Sequence, residues 1–195
     1  MPINDGSVLI GQGANGKVYL NEDGTVTKVV VGECRELLPD LYVKAGRDQL
    51  DCVARVISRN TFITAGEETH YIVKERIEQS EEVIENIRQL VKMWDDSLVH
   101  MDNLFGLISY YLQSVNNSTE FSGRRSTQVF LRYLQTYNNP KLITTFCQLV
   151  HIVDELKYAG IYDVDWNEEN FGLADRGEGK VLTMFELGEA KYKKK

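Results

Sequence analysis

Short apolar runs alternate with turn residues through the first third of the chain. Val8-Leu9-Ile10, Lys17-Val18-Tyr19-Leu20 and Val26-Thr27-Lys28-Val29-Val30-Val31 are separated by a glycine-rich stretch and by Asn21-Glu22-Asp23-Gly24. This spacing predicts a β-hairpin meander. Thr61-Phe62-Ile63-Thr64 and His70-Tyr71-Ile72-Val73-Lys74 predict a second strand pair around Ala65-Gly66-Glu67-Glu68. Between the two pairs, Glu33 to Arg59 is expected to be mainly helical, broken or kinked near Pro39 and Gly46.

At Ser80 the period changes. Ser80 caps an acidic first turn, and Val83, Ile84, Ile87, Leu90, Val91 and Trp94 recur at helical spacing. A further helical stretch is expected around Leu104 to Val115, followed by a loop from Asn116 to Arg125. Asn139-Pro140 starts another helix, with Leu142, Phe146, Leu149, Val150, Val153 and Leu156 on one face and Gly160 at its end. Two short strands, Asn170 to Ala174 and Lys180 to Phe185, close the pattern around Asp175-Arg176-Gly177-Glu178-Gly179. Strands first and helices afterwards imply an α+β fold.

A net charge of -7 argues against a nucleic-acid partner, because phosphate binding needs an excess of clustered Lys and Arg. Only Lys191-Tyr192-Lys193-Lys194-Lys195 is strongly basic, and it is expected to be a solvated, frayed end. Cys34, Cys52 and Cys147 are widely separated and odd in number, which suggests no disulfide framework or zinc site and points to a reducing compartment. His70, His100 and His151 are too scattered for a metal site. No apolar stretch approaches the length of a membrane span, so stable membrane insertion is not expected.

Three motifs carry chemistry. Gly11-Gln12-Gly13-Ala14-Asn15-Gly16-Lys17-Val18 fits G-x-G-x-x-G-x-V, in which backbone N–H groups can approach phosphates without a Cβ in the way. It leads into a strand, where a Rossmann fingerprint would lead into a helix, and no Gly-Lys-Ser/Thr makes a Walker loop. Lys28 lies in Val26-Thr27-Lys28-Val29-Val30, comparable to the strand motif V-A-I-K. Asp165 and Asn170, in Asp163-Val164-Asp165-Trp166-Asn167-Glu168-Glu169-Asn170, have the spacing of H-R-D-L-x-x-x-N. Each has a bland counterpart, respectively a ligand-free hairpin, an exposed strand lysine and an acidic surface loop.

Taken in order, these motifs resemble a eukaryotic-like protein kinase, in a minimal form closest in design to small bacterial effector kinases. The resemblance covers the chain end to end. It implies a bilobal, protein-kinase-like fold with a small β-rich N-lobe over residues 1–79 and a reduced, mainly helical C-lobe over residues 80–195. It also implies transfer of the γ-phosphoryl of Mg-ATP to a protein hydroxyl, Ser or Thr rather than Tyr. Asp165 would orient the acceptor and Lys28 would pair the α and β phosphates. Gly11, Gly13, Ala14, Asn15, Gly16 and Val18 would cover the nucleotide. Tyr71 to Ile77 would be the strand entering the adenine-binding hinge, with Glu75 and Ile77 in contact with the base. Asn170 would bind Mg2+, together with Glu186 of Glu186-Leu187-Gly188, which stands where the family has D-F-G. Glu36 is the first candidate to fix Lys28, with Glu33, Asp48 and Asp51 competing. The effector likeness adds a host protein as acceptor, export without a cleaved signal, and action as a monomer.

Departures from the family pattern matter as much. The usual His and Arg are Asp163 and Val164, which removes the link to a phosphorylated activation loop, and Asn167 replaces a lysine that touches the γ-phosphate. So few residues follow Gly188 that a full activation segment is not expected, and the long helical stretch from Ser80 to Tyr137 is expected to supply substitute packing. A nucleotide-binding pseudokinase, a small-molecule phosphotransferase and a non-kinase α+β structural protein remain alternatives at this point.

Overall fold

The computed structural model describes residues 3, 6–13, 16–34, 50–64, 66–97, 103–114, 120–177, 179–185, 187 and 190–192. Strands β1 (Val8–Gly13), β2 (Gly16–Leu20), β3 (Val26–Val31), β4 (Val56–Thr64) and β5 (Glu67–Lys74) form one antiparallel sheet in the order β1-β2-β3-β5-β4. The β2–β3 turn closes where the polar run predicts it. Gly24 has φ 82° and donates its N–H to Asn21 O at 3.0 Å, a conformation glycine adopts without a Cβ penalty. Asn21 steadies the turn through Nδ2 bonds to Thr25 and Thr27.

The helix expected over Glu33 to Arg59 does not extend to its end. Val56 to Arg59 are the first residues of β4, and Arg59 pairs with Ile72 of β5. Cross-strand pairing with a distant segment outweighs the local pattern here. Pro39, Gly46 and the rest of residues 35–49 lie outside the described residues.

Four helices follow: α1 (Glu81–Ser97), α2 (Leu104–Gln113), α3 (Arg125–Thr136) and α4 (Pro140–Ala159). Their ends follow the sequence chemistry. Glu81 and Glu82 place negative charge in the first turn of α1, complementing the helix dipole. The Asn103 side chain accepts from Gly106 N at 2.7 Å, and that of Asn139 from Lys141 N and Leu142 N, satisfying N–H groups that have no intrahelical acceptor. Gly160 stops α4 at φ 78°. Lys157 then closes the C-terminus of α2, its Nζ donating to Tyr111 O at 2.7 Å and Leu112 O at 3.1 Å. Among the described residues, no helix is long and apolar enough to cross a membrane.

After α4 come β6 (Ile161–Tyr162), a 3-10 turn (Glu168–Asn170), β7 (Phe171–Asp175), β8 (Lys180–Met184) and β9 (Lys191–Tyr192). β7 pairs with β8; β7 lies one residue later than expected, and β8 starts at Lys180 as expected but ends one residue earlier. β6 pairs with β9, so Lys191 and Tyr192 belong to a strand and the expected fraying is wrong for them. Backbone donors of the tail find acceptors across a strand, a contact the local charge run cannot announce.

Two backbone seams join the sheet to the helical part. Cys52 to Ala54 runs beside the end of β8, with Ala54 N donating to Met184 O and Met184 N to Cys52 O, both at 2.9 Å. Glu78 and Leu173 exchange two bonds, also at 2.9 Å each. From α4, the Glu155 carboxylate accepts the N–H groups of Asp51 and Cys52 at 3.0 Å each, so a helix carboxylate holds the connecting loop in place. A cleft is left between β1–β3 and the β7–β8 hairpin.

Candidate nucleotide cleft

The cleft is a cavity of about 570 Å³. Its walls come from segments far apart in sequence: Gly11, Gly13, Gly16 and Val18 of β1–β2, Lys28 of β3, Lys74 of β5, Glu75 to Gln79 of the following linker, Ala54, Asn170 and Phe185.

The three glycines have different local reasons. A Cβ on Gly16 would stand 2.2 Å from Val29 O, and its φ is 124°, so the close passage of β3 alone requires glycine. A Cβ on Gly13 would meet nothing within 4 Å. Packing therefore does not explain Gly13, which lines the cavity. In the register, Gly13 faces Gly16 across the hairpin, and the connecting Ala14 and Asn15 lie outside the described residues.

Lys28 stands opposite Val18 and Ile72 and is only 7% exposed. Lys74, two places from Ile72 on the same face, is equally buried. A buried ammonium needs a partner, and both lysines have one. The sequence reading singled out Lys28 and missed Lys74, which looked like the ordinary end of a strand. Glu36, the first candidate to fix Lys28, lies outside the described residues.

Beyond β5, Glu75 and Ile77 both reach the cavity. The Glu75 N–H is taken by Arg55 O at 2.9 Å, so Glu75 can offer a ligand no backbone donor. Arg76 and Ile77 form no backbone hydrogen bond among the described residues. The Glu75 carboxylate instead grips the arginine of the β7–β8 turn: Arg176 Nη1 and Nη2 each lie 2.8 Å from one of its oxygens, and Arg55 N donates to it at 2.6 Å. Arg176 Nη2 also donates to Asp51 O and Val53 O at 3.1 and 3.3 Å. The Arg176 side chain is 8% exposed, so this planar fork is a buried tie across the back of the cleft. In sequence Arg176 reads as a turn residue, and no local signal marks it.

The floor of the cleft is equally close-packed. A Cβ on Gly172 would lie 2.7 Å from Glu78 O and 2.8 Å from the Phe185 ring, so β7 meets the linker only because residue 172 has no side chain.

At the open end, the 3-10 turn presents Asn170. Its Nδ2 donates to Asp165 O at 3.0 Å and Asp165 Oδ2 at 3.4 Å, which brings the two predicted residues together. Asn170 lines the cavity, whereas Asp165 is exposed one hydrogen bond away from it. The Asn170 backbone O accepts Phe185 N at 2.8 Å. Glu186, the second expected metal ligand, follows Phe185 in sequence but lies outside the described residues, as does Gly188. Asn167, where the family pattern has a phosphate-contacting lysine, caps the 3-10 turn by accepting from Glu169 N at 3.0 Å. Trp166 stacks on Phe105 and Phe171, with centroids 6.0 and 6.1 Å apart, and this locks the loop between α2 and β7. Val164 is buried in the core.

Chemically, the cavity offers apolar walls at Ile10, Val18, Val26, Ile77 and Phe185, buried cations on β3 and β5, and the Asn170 amide beside an exposed carboxylate. Among the described residues, no three His, Cys, Asp or Glu side chains cluster to hold a metal ion. Compared with protein-family models and with curated proteins, the chain matches none.

Proposed function

We propose that the chain is an ATP-dependent protein kinase of minimal design, with a bilobal, protein-kinase-like fold divided near residue 79 and the nucleotide held in the cleft. One observation carries the reading: Gly11, Gly13, Gly16 and Val18, Lys28, Ile77 and Asn170, selected by motif from four separate parts of the chain, line one cavity. Unrelated surface motifs would not be expected to converge. Gly13 adds support, because its missing side chain leaves open space that none of the described residues fills.

The base lies against the linker near Ile77, and the glycine strands cover the phosphates. Lys28 supplies fixed positive charge to the α and β phosphates, and Asp165 orients the attacking hydroxyl of a Ser or Thr acceptor. Asn170 and Glu186 would hold magnesium, which when bound would neutralise charge on the phosphates. The donor set suits a hard cation: Asn170 spends Nδ2 on Asp165 and keeps a carbonyl oxygen, and magnesium takes few protein ligands when phosphates and water complete its shell. The acceptor is a protein, a host protein if the effector likeness extends that far, and the chain works as a soluble monomer in a reducing compartment.

Purified chain with Mg-ATP and a protein acceptor tests the reading. Label transfer should fall at least ~100-fold in Asp165→Ala with nucleotide binding retained, and Lys28→Met should weaken both. Equal labelling by Asp165→Ala and wild type would sink the catalytic assignment. Asn167 favours a second reading, a nucleotide-binding module without transfer, because its side chain is committed to the 3-10 turn and no cation stands there for a γ-phosphate. Tight Mg-ATP binding with no labelling of any acceptor would select that reading.

A further inference from the structure

Two residues before Asp165, Asp163 occupies the left-handed region at φ 56°, a conformation that aspartate tolerates better than most residues. Its carboxylate ties two elements together. Oδ1 accepts from Gln113 Nε2 of α2 at 2.6 Å, and Oδ2 meets Lys191 Nζ of β9 at 2.7 Å. The neighbouring Tyr162 pairs with Lys191 in the β6–β9 ladder, so backbone and charge act at the same place. Leu187 and Ala190 are buried in the core, seating the approach to β9. The Asp163 side chain is 28% exposed and that of Lys191 64%, so the pair lies at the surface and owes its fixed geometry to the β6–β9 ladder beside it.

We propose that the Asp163–Lys191 pair is a permanent tether that holds β9 against the loop carrying Asp165, so that this loop is set without any prior covalent modification. Asp163 and Lys191 are positioning residues. In the kinase pattern an arginine at the position of Val164 answers a phosphoryl group added to the segment after the metal motif. Here Val164 is buried, the loop supplies the negative charge and the segment supplies the positive one. With both charges built into the chain, addition of phosphate has nothing left to switch. The effect on rate rests on the kinase reading, whereas the tether itself rests on the geometry alone.

The test compares the full chain with Lys191→Glu and Lys191→Arg, reading amide hydrogen exchange at residues 164–167 and the rate of ATP-dependent labelling. Lys191→Glu should speed exchange about three- to five-fold and lower kcat by a similar factor with the KM for ATP unchanged, while Lys191→Arg behaves as wild type. The difference should shrink in 1 M salt, which screens an ion pair of this exposure. Phosphatase treatment of the wild type should leave its rate intact. Exchange that is identical in Lys191→Glu and wild type would overturn the tether, and so would activity that disappears on phosphatase treatment. If the wild type labels nothing but exchange still responds to Lys191→Glu and not to Lys191→Arg, the tether stands and the phosphotransfer reading falls.

Discussion

The sheet and the helical part spend their apolar residues differently. Of the largest fully buried side chains, Trp94, Tyr111, Phe121, Phe130, Phe146 and Phe171 all lie in the helical part and its hairpin, and Ile72 alone represents the sheet. Trp94 and Phe130 meet edge to face at 4.8 Å, and Phe130 and Phe146 at 5.0 Å. The sheet leaves Val8, Leu9, Ile10, Val31, Ile57 and Ile63 about half exposed or more. Stability therefore concentrates in the helices, while the glycine-bearing strands are held mainly by their ladder and by the seams at Cys52–Ala54, Glu78 and Arg176. The cleft thus has a lightly packed wall over a close-packed floor.

That contrast can be broken by mutation. Trp94→Ala should cost ~3–5 kcal/mol in urea unfolding, because the cavity it leaves sits among Phe130 and Phe146. Arg176→Met should cost about 3 kcal/mol by the same measurement, since it strands the Glu75 carboxylate, and Glu75→Gln added to it should recover part of the loss. If Arg176→Met were silent, the seam would not hold the sheet. Gly172→Ala should destabilise by ~1–3 kcal/mol and weaken Mg-ATP binding in a titration, because its Cβ collides with backbone at Glu78.

A pH series sharpens the helical side. Burial pushes the Tyr111 phenol up to about 12, with the Asp154 carboxylate adding to the shift and the Arg124 guanidinium, 4.6 Å from the ring centre, opposing it. The folded state then resists ionisation more than the unfolded chain does. Its contribution is fully present below about pH 10, the ordinary tyrosine value, and is lost as pH rises toward 12. Thermal midpoints measured from pH 9 to 12 should fall more steeply in wild type than in Tyr111→Phe. Smallest of all, Ile63→Ser on β4 should change stability by no more than ~0.5 kcal/mol, because the residue is 73% exposed. A larger loss would mean that the sheet is covered by more than its visible packing.

Elements set by local chemistry were legible in the chain. Asn139, Pro140 and Gly160 bracket α4 because an asparagine cap, a proline without an N–H and a left-handed glycine act within one turn of themselves. Alternation and turn residues likewise marked β1 to β3. β4 was misjudged at its start because its partner lies on β5, and β9 was missed because a two-residue lysine-bearing strand has no pattern until β6 is beside it. In the site, the glycines, Lys28, Asp165 and Asn170 could be named because their spacing is short-range. Arg176, Lys74 and the Asp163–Lys191 pair could not, since their meaning is a contact rather than a spacing.

By itself, then, the sequence determined strands β1 to β3, the two ends of α4 and which residues are candidates for chemistry, because propensity, capping and turn geometry act over a few residues. Only the tertiary structure decided that the glycines, Lys28 and Asn170 share one cavity with Asp165 just outside it, that Gly16 is glycine because of Val29 while Gly13 is not constrained by packing, and that a turn arginine and a tail lysine tie distant segments together. Such contacts depend on burial and on partners more than 100 residues away, as Glu75 and Arg176 are, and no local pattern encodes them.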